Sequence, residues 1–162
     1  MQQSFDPVAF KETTRQQWQN AAEAWHRWTP TLQAWLGPIT KAMLDDARLQ
    51  PGDHVLDLAA GAGEPSLSAA ERVGPSGHVL ATDISSNILE FAAQTAHDRG
   101  LTNFETRVMD GENPDVPDAS SDVVLSRLGL IYFPDRDVAL RAAHRVLKDS
   151  GRVVLALSLI HI

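Results

Sequence analysis

Residues 54–65, His-Val-Leu-Asp-Leu-Ala-Ala-Gly-Ala-Gly-Glu-Pro, restrict the possible folds more than any other stretch of the chain. A short apolar run, His54 to Leu58, reads as a strand, and it meets a turn containing Gly61 and Gly63. A helix is expected to begin near Pro65 and run to Arg72. Strand, glycine bend and helix in succession open a βαβ unit. Glycines let the backbone turn sharply and let a ligand lie against the main chain without a Cβ in the way. The following helix offers unpaired N–H groups and a positive end. Taken alone, Gly61-Ala62-Gly63 also fits a tight turn with a purely structural purpose.

The pattern repeats downstream. His78 to Thr82 reads as a second strand ending at Asp83, and Ser85 is placed to cap a helix whose Ile88, Leu89 and Ala92 face the sheet, with Gly100 as its stop. Asn103 to Val108 reads as a third strand, Asp122 to Arg127 as a fourth and Arg152 to Ala156 as a fifth. Asp135 to Lys148 reads as a helix with Val138, Ala142 and Leu147 near one face. Strands apolar on both faces and separated by helices suit a parallel sheet covered on both sides. The expected class is therefore α/β, a doubly wound, mostly parallel sheet.

Residues 1–50 read as helical. Trp18, Ala22, Trp25 and Trp28 recur at three or four positions and would share a face, Thr29-Pro30 starts a new helix, and Gly37-Pro38 predicts a break or kink. Trp18, Trp25, Trp28 and Trp35 fit either a core or an aromatic lid over a ligand.

Three details sharpen the ligand. The dinucleotide fingerprint wants a third glycine at position 66, where this chain has Ser66. Asp57 precedes the bend, where a pyrophosphate would meet a like charge, so a ligand with a positive group fits better. Asp83 stands at the tip of the second strand, where a carboxylate accepts both hydroxyls of a ribose, unless it only caps the next helix. A nucleoside carrying a cationic amino-acid tail satisfies all three better than a dinucleotide, and NAD-dependent redox chemistry becomes the weaker alternative. The net charge of -7 argues against non-specific nucleic-acid binding, and no apolar window is long enough for a membrane span. There is no cysteine and no compact histidine-rich or EF-hand pattern, so no metal is expected.

Val55 to Pro65, Ala81 to Ser85, Met109 to Glu112, Asp118 to Asp122 and Arg145 to Gly151, in that order, resemble the class I S-adenosylmethionine-dependent methyltransferases, in the broad branch that includes the ubiquinone/menaquinone-biosynthesis type. The resemblance covers most of residues 35–156. It implies a Rossmann-like fold, S-adenosyl-L-methionine as cofactor and a small organic acceptor, a quinone-like ring being one candidate, in a cytoplasmic enzyme. It places the methionine part of the cofactor at Asp57, Gly61, Ala62 and Gly63, the ribose at Asp83, the adenine against Ile84, and the adenine amino group at Asp110. Gly111 and Glu112 shape that wall, and Ser126 and Arg127 form the floor near the methionine end. Asp110 also fits a simple turn former, and Arg127 a partner for a surface acid. Trp25, Trp28, Tyr132 and Phe133 are candidates for the acceptor wall, although Tyr132 and Phe133 could equally anchor the following helix. No catalytic base announces itself, and a degenerate, non-catalytic relative of the family stays open.

Two departures from the family pattern stand out. Ser121 replaces a bulky aromatic, and Asp149-Ser150-Gly151 replaces proline-glycine-glycine, a looser turn. The expected organisation is a helical cap over 1–50 and a cofactor-binding core over 51–156. The segment 157–162, Leu-Ser-Leu-Ile-His-Ile, reads like translation of a sequencing adapter and is expected to be non-native. On that expectation the C-terminal antiparallel hairpin of the family is missing. The fifth strand then becomes an unprotected edge, and self-association is expected.

Overall fold

Val55 and Leu56, neighbours on one strand, enter two different apolar clusters on opposite faces of the sheet. That alternation, repeated by Val123 and Leu125 against Val124, is why helices must cover both faces. The computed structural model describes residues 5–158. Two helices come first, α1 (Pro7–Arg27) and α2 (Thr29–Asp46). They are followed by β1 (His54–Leu58), α3 (Ser66–Val73), β2 (His78–Asp83), α4 (Ser86–Asp98) and β3 (Phe104–Val108). After these come β4 (Ser121–Arg127), a single 3-10 turn (Leu130–Tyr132), α5 (Arg136–Val146) and β5 (Leu147–Ala156).

All strand pairs are parallel, in the order β3-β2-β1-β4-β5. The chain runs outward from β1 to β3 and then returns to lay β4 on the other side of β1. This creates a switch point at the C-terminal ends of β1 and β4, where open α/β sheets form a crevice. Leu44 of α2, Ala47 at its C-terminal cap, and Ala69, Ala70 and Val73 of α3 cover one face; Ala143 and Val146 of α5 cover the other. Helix α4 packs on β2 and β3, and α1 lies across α4. No described helix is long and apolar enough to cross a membrane.

Four expectations need correction. Gly37-Pro38 does not end a helix: α2 runs through with Pro38 inside. Pro38 is exposed, so the carbonyl that loses its N–H partner faces water, and the helix survives. The buried stripe of α5 is Ala139, Ala143 and Val146, one residue out of phase with Val138 and Ala142. Asp135 caps this helix at Val138 N, and Arg145, on the opposite side, reaches the carbonyls of Pro114 and Val116, so the helix is rolled by about one residue. β5 begins at Leu147 rather than Arg152, because Ser121 pairs with Leu147 before the register shifts to Val123 with Arg152. Finally, Trp28 leaves the tryptophan face: it sits at the junction of α1 and α2 and is 56% exposed. Of the 157–162 segment, residues 159–162 lie outside the described residues.

Candidate cofactor and acceptor site

The segments leaving β1, β2, β3 and β4 converge on a cavity of about 490 Å³, roofed by α1 and α2. That size falls within the usual range for small-molecule sites. Ala59, Ala60, Gly61 and Ala62 line it from β1, Asp83 and Ile84 from β2, Met109, Asp110 and Gly111 from β3, and Arg127 to Gly129 from β4.

The bend after β1 is held by backbone bonds: Ala60 N–H donates to Thr82 O at 2.8 Å and Gly63 N–H to Ala60 O at 3.1 Å. Gly63 has φ +115°, and a Cβ on it would stand 2.6 Å from Leu67 Cδ1 and 3.2 Å from Ala92 Cβ. Its glycine is thus demanded by the meeting of α3 and α4, and Gly63 is not among the residues lining the cavity. Gly129, which the sequence reading passed over, has a similar steric reason. A Cβ there would approach Ala59 Cβ to 2.5 Å and Leu58 O to 3.0 Å, so the bends after β1 and β4 rest on each other. Ala59 (φ +60°) and Leu128 (φ +63°) occupy the left-handed region at this contact. Such strain in non-glycine residues costs roughly 1–2 kcal/mol each and gathers at functional sites.

Asp83 is 8% exposed. One carboxylate oxygen accepts Gly61 N–H and the other Ser85 N–H, both at 3.0 Å. The side chain therefore ties β2 to the glycine bend while still lining the cavity. Ser85, not Asp83, is the cap of α4. Burial pushes the Asp83 carboxyl above its ordinary value, and the backbone donors of Ser85, Gly61 and Ile84 oppose this.

Asp57 is completely buried. Ser66 Oγ donates to its Oδ2 at 2.5 Å, whereas Oδ1 has no partner among the described residues. Burial drives the carboxyl up to about 7, against the opposing effects of the Ser66 bond and the Arg127 charge. Asp57 is not among the residues lining the cavity, so its orphaned oxygen would meet a ligand's ammonium group only through an intervening water or a shift of the bend.

Asp110 lines the cavity, and it also makes a turn by accepting Glu112 N–H at 2.9 Å. Its other oxygen takes Lys11 of α1 at 2.6 Å, and Lys11 also reaches Glu112 at 2.6 Å. Glu112 further accepts Asp135 N–H at 2.7 Å, so it joins α1 to the start of α5 rather than facing the cavity. Ser126 is also directed elsewhere: its hydroxyl is buried and donates to Leu58 O at 2.8 Å. Arg127 does face the cavity, and it donates to Thr40 Oγ1 at 2.7 Å instead of pairing with a surface acid.

Trp18 and Trp25 of α1, Trp35 and Leu36 of α2, and Ile131, Tyr132 and Phe133 form the apolar wall. Trp18 meets Trp25 and Tyr132 edge-on, with ring centroids 5.2 and 5.5 Å apart. Phe133 packs against Gly111. Trp28 is not part of this wall. Sequence reasoning missed Lys11, Thr40 and Gln19. Gln19 clasps the start of α4 through Ser85 Oγ (2.8 Å) and Asn87 N (2.9 Å). No local pattern marks these residues, since their partners lie far away in sequence. Among the described residues no group of three metal-ligating side chains occurs.

A parallel sheet of this order, with its cavity at the switch point and helices on both faces, defines a Rossmann-like α/β protein of the class I methyltransferase type. A methyltransferase-domain family model matches residues 49–159, and the chain belongs to that family. The nocamycin O-methyltransferase of Saccharothrix syringae is 36% identical over 73% of this chain and 42% of its own length. A ubiquinone/menaquinone biosynthesis C-methyltransferase of Xanthomonas oryzae pv. oryzae is 39% identical over 65% of this chain and 42% of its own length. The chain thus spans less than half the length of these two relatives. Phosphoethanolamine N-methyltransferase 1 of Haemonchus contortus, solved with phosphoethanolamine and S-adenosylhomocysteine, shares the fold at TM-score 0.80 and 20% identity, over 96% of this chain and 34% of that one.

Proposed function

We propose that this chain binds S-adenosyl-L-methionine at the switch point and methylates a small, largely apolar organic acceptor held under α1 and α2. The observation that carries this reading is the pairing of Asp83 with the glycine bend, beside the orphaned oxygen of Asp57. Asp83 would hold the ribose hydroxyls, Ile84 and Asp110 the adenine, and Gly61 and Ala62 the amino-acid tail, with the Asp57 carboxyl acting from behind the bend. When bound, the cofactor supplies an electrophilic methyl group on a sulfonium, whose departure as a neutral thioether is easy.

The protein's own work is then alignment and exclusion of water. The aromatic wall of Trp18, Trp25, Tyr132 and Phe133 supports a flat, apolar acceptor, of which a quinone-like ring is one example. The relative named for ubiquinone and menaquinone biosynthesis accords with such an acceptor. A dinucleotide is disfavoured because Ser66 and Asp57 stand where a pyrophosphate would need a glycine and no negative charge.

Calorimetric titration with S-adenosylhomocysteine and, separately, NAD tests the reading. Saturable heat with the first and none with the second is expected. The reverse result would overturn it.

A further inference from the structure

The half-buried guanidinium of Arg127 borders the main cavity and also a second, polar one of about 350 Å³ behind it. Its one hydrogen bond to a side chain among the described residues is to Thr40, on the helix that carries Leu32, Trp35, Leu36 and Ile39 into the cavity wall. No carboxylate of a described residue comes within 4.0 Å of it. A guanidinium has five donors in a planar fork suited to a carboxylate or similar oxygen pair. Burying it without a counter-ion is costly, and burial indeed lowers its pKa, with Asp57 and Glu64 opposing from farther away.

The cavity's other charged groups are occupied. Glu64 accepts from Ser68 at 2.7 Å and meets Arg99 at 3.3 Å. Asp83 accepts two backbone amides, and Asp110 is taken by Lys11. No histidine lines the cavity among the described residues. An acceptor bound here therefore finds a cation with no carboxylate beside it and no histidine in the wall among the described residues.

We infer that Arg127, braced by Thr40, is an oxyanion site for the acceptor, and that the acceptor carries an acidic oxygen, as a carboxylic acid, an enolised diketone or an acidic phenol does. This rests on the cofactor reading above and goes beyond it. Such a group loses its proton to solvent before it binds. The guanidinium then holds the ionised form, and no side chain has to accept a proton. Arg127 thereby selects acceptors by acidity rather than by shape.

The test uses a matched pair of probes, 2-naphthoate and the neutral 2-naphthamide, titrated into the chain saturated with S-adenosylhomocysteine. Wild-type protein is expected to prefer the carboxylate. Arg127→Met should weaken naphthoate by roughly ten- to a hundredfold, the usual size of a hydrogen-bonded charged contact, while leaving naphthamide unchanged. Thr40→Val leaves the charge in place and should cost less, which keeps the test open if Arg127→Met does not fold. A second arm compares S-adenosylhomocysteine with methylthioadenosine, which lacks the amino-acid carboxylate. If Arg127→Met weakens only the former and spares naphthoate, the guanidinium serves the cofactor tail and the inference is overturned. Equal binding of the two naphthyl probes to the wild-type chain also overturns it, with the cofactor reading intact. Absence of S-adenosylhomocysteine binding to the wild type removes both.

Discussion

Ser66 donates a hydrogen bond to the fully buried Asp57, nine residues earlier, and leaves the other carboxylate oxygen without a partner. Serine stands where the dinucleotide fingerprint has its third glycine, and here that substitution supplies the hydrogen bond that opposes burial of the Asp57 charge. The bend is thereby built around a carboxylate with one oxygen satisfied and the other buried without a partner among the described residues.

Stability should fall as pH rises because of this carboxylate. Burial lifts Asp57 from 3.8 to about 7, so between those values the folded state holds a proton that the unfolded state has released. A raised carboxyl contributes most when protonated, below 3.8, and loses that contribution as pH climbs to about 7. Three units correspond to roughly 4 kcal/mol as an order of magnitude. Urea unfolding across pH 5 to 8 should show a declining midpoint, and Asp57→Asn should flatten the decline. Parallel pH profiles for the two proteins would refute the assignment.

Cofactor binding should release protons near neutral pH. An ammonium held in the cavity beside the bend favours the ionised form of Asp57 through its charge and draws its pKa down. Calorimetry with S-adenosylhomocysteine at pH 7, in two buffers of different ionisation enthalpy, should give different apparent heats. Asp57→Asn should remove most of that difference.

Asp83→Ala should weaken S-adenosylhomocysteine by roughly ten- to a hundredfold, through loss of charged hydrogen bonds to the ribose. It should also lower the melting temperature, because Gly61 and Ser85 lose their acceptor. Unaltered affinity in a folded variant would rule out the ribose role.

Gly63→Ala should destabilise the fold by about 1–3 kcal/mol, through overpacking and an unfavourable φ. Leu67 and Ala92 are the atoms in the way, so a Leu67→Ala background should relieve part of the cost. Chemical denaturation of the single and double variants measures this directly.

The sequence was most informative where local chemistry decides the structure. The strand ending in Leu58, the capping Ser85, the stop at Gly100 and the parallel class of the sheet all follow from apolar runs and turn residues close in sequence. It was least informative where distant segments decide. The α5 stripe is set by Arg145 reaching the 114–118 loop, and the start of β5 by its pairing with Ser121. Trp28 shares the spacing of Trp18 and Trp25, yet the junction of two helices turns it outward. Glu112 and Ser126 sit at motif positions but spend their oxygens on Lys11, Asp135 and Leu58. Lys11, Gln19 and Thr40 became visible only once α1 and α2 lay over the sheet.

A crystal structure of the chain with S-adenosylhomocysteine tests the account most directly. The ribose hydroxyls are expected on the carboxylate that ends β2, with the amino group of the tail directed toward Asp57. Density for the nucleoside elsewhere, or a ribose with no contact to Asp83, would contradict it.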